Sequence, residues 1–175
     1  MKKLMIIVTL MAVMTGVQAQ DAISKFFSKY QNDESFSQVT VSSKMFGLFT
    51  NMEAETPEDK EVLEAISKLK GLKILAKEDA RNARELYKEA FSLIPMKDYE
   101  ELMSVRDKDK DMKFLIKESG GKISELLMVM GGNTDFMVMS LFGEIDLKQV
   151  SHIGRKMNVD GLENLEKMDD KGKKN

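Results

Sequence analysis

Residues 99–146 read YEELMSVRDKDKDMKFLIKESGGKISELLMVMGGNTDFMVMSLFGEID, and the fold depends on how this stretch divides. Four short apolar runs are visible: Tyr99–Arg106, Met112–Lys117, Ile123–Met130 and Phe136–Phe142. They are separated by Asp107–Asp111, Ser119–Lys122 and Gly131–Thr134. Glycine, asparagine and aspartate tolerate the positive φ of tight turns, so runs bounded by such clusters predict consecutive β-hairpins. In the second run Met112, Phe114 and Ile116 alternate with Lys113 and Lys117, which predicts one largely wet face. The third and fourth runs are apolar on both faces. Leu126, Met128 and Met130 share one face, with Ile123, Leu127 and Val129 on the other. Phe136, Val138 and Phe142 likewise oppose Met137, Met139 and Leu141. Period alone leaves Leu126–Met130 open between strand and helix. The double glycines at both its ends favour a strand.

A strand apolar on both faces requires cover on both faces. A single sheet with helices on one side leaves an apolar surface over, to be covered by a partner subunit, a ligand, a membrane or the remaining helices. The candidate binding face carries Met103, Met112, Met128, Met130, Met137 and Met139. Methionine is the oddity of the composition: fifteen occur, seven of them between Met96 and Met139. Its flexible, polarizable side chain suits core filling and adaptable apolar binding surfaces alike.

Upstream, Asp79 opens a helix carrying Ala83, Leu86, Tyr87, Ala90, Phe91 and Ile94, and Pro95 stops it. Leu72–Ala76 reads as a strand. Thr56-Pro57-Glu58-Asp59 is a helix start: Thr56 caps, Pro57 suits the first position, and two acids favour the positive dipole end. That helix is expected to reach about Leu69, burying Val62, Leu63, Ile66 and Leu69, with Glu64 and Lys68 paired outside and Gly71 ending it. Lys44–Asn51 reads as a turn of helix carrying Met45, Phe46, Leu48 and Phe49. Ser37–Ser42 alternates Val39 and Val41 against Gln38, Thr40 and Ser42, a first strand with one solvated face. Ala22–Gln31 makes a short helix whose Ile23, Phe26, Phe27 and Tyr30 form a stripe, for the core or for a membrane surface. Downstream, Asp146 caps a last helix with Gln149 at its third position and a stripe of Leu147, Val150, Ile153 and Met157. Residues 159–168 add a small helix, and the charged tail 169–175 lacks apolar residues and is expected to be disordered. The prediction is a single α+β domain over residues 20–168. Its mostly antiparallel sheet has five to six strands, ends in a four-strand meander and carries helices mainly on one face. The two early strands join it through helical crossovers.

The chain opens with Met1-Lys2-Lys3, an apolar run from Leu4 to Gly16, and Val17-Gln18-Ala19. This is the charged, apolar and small-residue order of a signal peptide over residues 1–19, with cleavage between Ala19 and Gln20. The run is shorter than the ~20 residues that span a bilayer. No second long apolar segment follows, so no transmembrane segment is expected in the mature chain. There is no cysteine. That closes disulfides, thiol catalysis, zinc–thiolate sites and lipid attachment at cysteine. The expected product is exported to the periplasm or beyond and is not a lipoprotein. The formal charge is −2, becoming −4 without Lys2 and Lys3, and lysines interleave with acids throughout. No basic patch supports nucleic-acid binding.

Candidate chemistry has plain structural counterparts. Asp107, Asp109, Asp111 and Glu118 sit at the first, third, fifth and twelfth positions of a calcium loop. Met112 stands where the sharp turn needs glycine, and Lys108 and Lys110 repel a cation, so a solvated hairpin turn is expected. Gly120-Gly121 and Gly131-Gly132 lack the following helix start of a phosphate loop and read as turns. His152 is the single histidine, and its neighbour Ser151 does not face it on a helix. No G-x-S-x-G elbow exists, and one histidine without cysteine makes a poor transition-metal set. A paired-carboxylate hydrolase stays formally open, but Glu100-Glu101 and the Glu58, Asp59, Glu61 group sit on expected solvated faces. Absent tryptophan and scarce tyrosine argue against carbohydrate binding.

Several phrases carry a family resemblance: Val39–Phe46, Leu69–Leu75, Tyr99–Val105, Phe114–Glu118, Ile123–Gly132 and Phe136–Leu147, with the Gln18-Ala19-Gln20 junction. Together they resemble an uncharacterised family of exported Bacteroidota proteins, the DUF4252-like group. The resemblance spans roughly residues 20 to 160. It implies export to the cell envelope and supplies no catalytic motif. Many such relatives carry a lipobox cysteine, which this chain lacks. The expected function is therefore a non-enzymatic envelope binding module that uses the Met-rich face to engage a partner protein or its own copy as a homodimer. No cofactor or metal is expected. The alternatives are a periplasmic carrier of a lipid-like or other apolar ligand, and a hydrolase using carboxylates or Ser/His152.

Overall fold

The computed structural model of the chain describes residues 23–51 and 53–150. Their order is α1 (Ser24–Tyr30), β1 (Ser37–Ser42), α2 (Ser43–Phe49), α3 (Pro57–Ser67), β2 (Leu69–Lys77) and α4 (Ala83–Leu93). A 3-10 turn (Met96–Asp98) then leads into β3 (Glu100–Arg106), β4 (Lys110–Ser119), β5 (Lys122–Gly132) and β6 (Phe136–Ile145). The six strands form one sheet in the order β1-β2-β6-β5-β4-β3, and every neighbouring pair is antiparallel. The meander predicted over residues 99–146 is therefore one side of the sheet. β2 pairs with β6 and carries β1 outward as an edge. The fold is α+β.

α4 and α1 cover one face. Ile23, Phe26, Phe27, Ala83, Leu86 and Ala90 pack on Leu75, Leu115, Leu127, Val129, Phe136 and Val138. The other face assembles Met112, Phe114, Ile116, Leu126, Met128, Met139 and Leu141, joined by Phe46 of α2, Ile66 of α3 and Val150. Burial of both faces is what two-sided apolar strands demand.

Several boundaries differ from expectation for identifiable reasons. α3 ends at Ser67, because Leu69 is already buried in β2 opposite Gly143. Gly71 does not end a helix: it lies inside β2, where a Cβ would stand 2.9 Å from the Phe142 ring. Val62, Leu63 and Ile66 are only half-buried, and Ala65 is the buried residue of α3. Asp79 has φ 50 and belongs to a turn, so α4 starts at Ala83. Ile123 packs with Leu126 and Met128 rather than opposite them, because a bulge between Ile123 and Glu125 breaks the alternation.

The Thr56 start behaves as read. The Asp59 N–H donates to the Thr56 hydroxyl, and the Thr56 N–H donates to the Asp59 carboxylate. Asp146 opens a helix over residues 147–150, its Oδ1 accepting from the Lys148 and Gln149 N–H groups. The leader, Ile153, Met157, residues 159–168, the tail and His152 lie outside the described residues.

Candidate functional site

The strand registers place all six predicted methionines on one face. One cross-strand row runs Met103, Phe114, Met128, Met139, Ile74 and Val39, and so crosses the sheet from β3 to β1. The next row brings Met112, Met130 and Met137 together. Met112, Met128 and Met139 are buried; Met103, Met130 and Met137 are half-buried. The middle of this face is thus packed core, and its exposed part lies at one margin.

That margin is β1 and α2. Val39 ends the long methionine row and is 47% exposed. α2 follows β1 directly and is pinned by the buried Phe46, which leaves Met45 at 46%, Leu48 at 59% and Phe49 at 37% exposure. Met45, Phe46, Leu48 and Phe49 lie on one side of α2 by their helical spacing, yet only Phe46 is buried, so the stripe is wider than the cover it finds. The apolar stripe was visible in the sequence, but that three of its four members stay uncovered was not. Clustered exposed apolar side chains are the usual mark of a contact surface.

On the face covered by α1 and α4, Glu125 and Ser140 are buried polar residues. The Ser140 hydroxyl donates to Glu125 Oε1 at 2.6 Å, and the Tyr99 hydroxyl donates to Oε2 at 2.7 Å. Lys73 lies opposite Ser140 in the β2–β6 register, its ammonium over the rings of Phe27 and Phe142. This arrangement ties β5, β6 and the start of β3 together, and Ser140 is closed to solvent. Sequence reading overlooked it, although a glutamate inside an apolar strand was the signal.

The acidic triplet of the β3–β4 turn does not converge. Asp107 Oδ1 accepts from the Asp109 and Lys110 N–H groups, which hold its carboxyl below the usual range. Asp111 instead accepts from Arg84 and from Arg106, each at 2.9 Å. Glu118 sits at the far end of β4, opposite Ile123. Gly120 and Gly121 form the β4–β5 turn with φ 62 and 76, and Gly131 and Gly132 end β5. Among the described residues no group of three or more His, Cys, Asp or Glu could hold a metal ion. A cleft of about 560 Å³ lies where β2 and β5 begin and β4 and β6 end, with Ser43, Lys68, Lys70, Ser119, Lys122 and Glu144 in its wall. Lys68 and Lys122 are already engaged by Glu64 and Glu144. Among the described residues no helix is long and apolar enough to cross a membrane.

The fold and its surfaces define an α+β domain built on one antiparallel sheet with an apolar margin. Residues 30–153 match a family described as Domain of unknown function (DUF4252), and the chain belongs to that family. Neither the search of curated proteins nor the search of solved structures found a match.

Proposed function

We propose that this chain is an exported cell-envelope protein that acts by binding rather than by catalysis, with the β1–α2 margin of its Met-rich face as the contact surface. The observation that carries the reading is the joint exposure of Val39, Met45, Leu48 and Phe49 at the end of an otherwise packed apolar face. The leader-like residues 1–19 support export to the periplasm or beyond. A non-enzymatic role is supported by the enclosure of Ser140 and by the engagement of Asp107 and Asp111 within the hairpin turn. A binding role is favoured over a carrier of apolar ligands because Met112, Met128 and Met139 pack against their neighbours.

The test is cell fractionation combined with a photo-crosslinking amino acid at position 48. The reading expects a mature-sized chain in the envelope or secreted fraction, with a discrete crosslinked species from position 48. A cytosolic chain, or crosslinks equally abundant from position 48 and from the polar turn at position 108, would overturn it.

A further inference from the structure

The two edges of the sheet are unlike. β3 is guarded: Glu100, Glu101 and Arg106 lie on it, and a bulge between Glu101 and Met103 breaks its regularity. Charges and bulges are the usual devices that stop an edge strand from pairing with another chain. β1 has none of them. Ser37-Gln38-Val39-Thr40-Val41-Ser42 carries no charge and no proline, and it pairs in unbroken register with β2. Its residues are exposed from Ser37 to Thr40, and among the described residues it pairs with no strand other than β2.

The strand is also self-complementary. Read about Thr40, polarity is palindromic: Gln38 and Ser42 are polar, and Val39 and Val41 are apolar. An antiparallel pair centred on Thr40 sets Val39 against Val41, Gln38 against Ser42, and Thr40 against itself. Side chains opposite each other in an antiparallel pair share a face. This register therefore continues the apolar side of one sheet into the apolar side of the other. No like charges meet along the seam. α2 lies on the apolar side, so Met45, Leu48 and Phe49 of both copies flank the junction.

We infer that β1 is a homodimerisation edge, and that two copies join across a two-fold axis at Thr40 into one twelve-stranded sheet. This rests on the binding reading above and gives its surface a specific occupant, a second copy of the chain. Edge pairing supplies backbone hydrogen bonds and register, and the exposed Val39, Met45, Leu48 and Phe49 add apolar surface beside it.

The chain contains no cysteine, so one can be placed alone. Opposed residues in an antiparallel pair have Cα atoms about 4.5 to 5.5 Å apart, within the range a disulfide bridges. The mature chain carrying Thr40→Cys is expected to form a disulfide-linked dimer under mild oxidation, whereas Ser104→Cys on the guarded edge stays monomeric. Light scattering of the unmodified mature chain should show a concentration-dependent dimer. Thr40→Lys sets two lysines against each other and should weaken that dimer by about tenfold or more, with an unchanged circular dichroism spectrum. A chain monomeric up to high concentration, or a disulfide formed as readily from Ser104→Cys, overturns the inference. If that monomer still crosslinks from position 48 to a different envelope protein, self-pairing fails while the binding reading stands.

Discussion

Gly131 lies directly beneath Tyr87, so close that a Cβ at position 131 would stand 2.5 Å from the Tyr87 Cβ and 3.1 Å from the Ala83 carbonyl oxygen. α4 thus rests on bare backbone of β5. The obstruction is helix backbone and the root of a side chain, so neither can swing aside. Gly131→Ala is expected to destabilise the protein by about 2 kcal/mol or more through overpacking. Thermal or urea unfolding measures it, and a loss below about 0.5 kcal/mol would show that α4 sits further from the sheet.

The buried Glu125 carboxylate depends on its donors. Ser140→Ala removes the 2.6 Å hydrogen bond and should cost about 1 to 3 kcal/mol, because a buried acceptor loses one of its donors. Tyr99→Phe should cost less, since Tyr99 is only half-buried. A double-mutant cycle between the two positions should show coupling, because both donors serve one carboxylate. Strict additivity would contradict the shared role.

The methionines divide into two classes. Met128→Ala should cost about 2 to 5 kcal/mol, as expected for a truncated buried side chain. Met45→Ala, on the exposed side of α2, should stay within about 0.5 kcal/mol. Equal costs at the two positions would mean that the β1–α2 margin is covered in the folded monomer.

Stability should decline at both extremes of pH. Asp33, Glu101, Asp107 and Glu144 are held below their ordinary values by hydrogen bonds from Ser35, from Lys113, from the Lys110 and Asp109 N–H groups, and from Lys122. For Glu89, burial pushes upward but is outweighed by Lys29 and Tyr30. A carboxyl with a lower pKa folded than unfolded contributes fully above its unfolded value, and that contribution is lost as pH falls through the folded one. Lys29 and Lys68 are raised, chiefly by Glu89 and Glu64, so their contribution is lost as pH climbs through their folded values. Urea midpoints should therefore fall below pH about 4 and above about 10.5. A midpoint that rises on acidification to pH 3 would contradict these pairings.

The meander was readable because its turns are chemically marked. Gly120-Gly121 takes the positive φ that only glycine adopts easily, and alternation along Met112, Phe114 and Ile116 fixed a face. Ile123 was misplaced because a bulge leaves no trace in a period-two pattern. Gly71 misled because a glycine that ends a helix and a glycine that admits a neighbouring ring look alike in sequence. The methionine face was found, with all six residues on one side, but which part of it stays exposed depends on long-range cover. Val39 shows this: its own strand predicted a face, and only the register linking it through Ile74 and Met139 to Met128 shows which one. The Glu125–Ser140 pair was missed because its residues are fifteen apart and meet only when β5 and β6 pair.

Amide hydrogen exchange on the purified chain, compared between dilute and concentrated solution, tests whether the β1–α2 margin is a free contact surface. Rapid exchange is expected in β1 and α2 when dilute, and protection confined to those two elements when concentrated. β5 and β6 should be slow throughout. Strong protection of β1 and α2 already in dilute solution would overturn this, because the chain would then cover the surface itself.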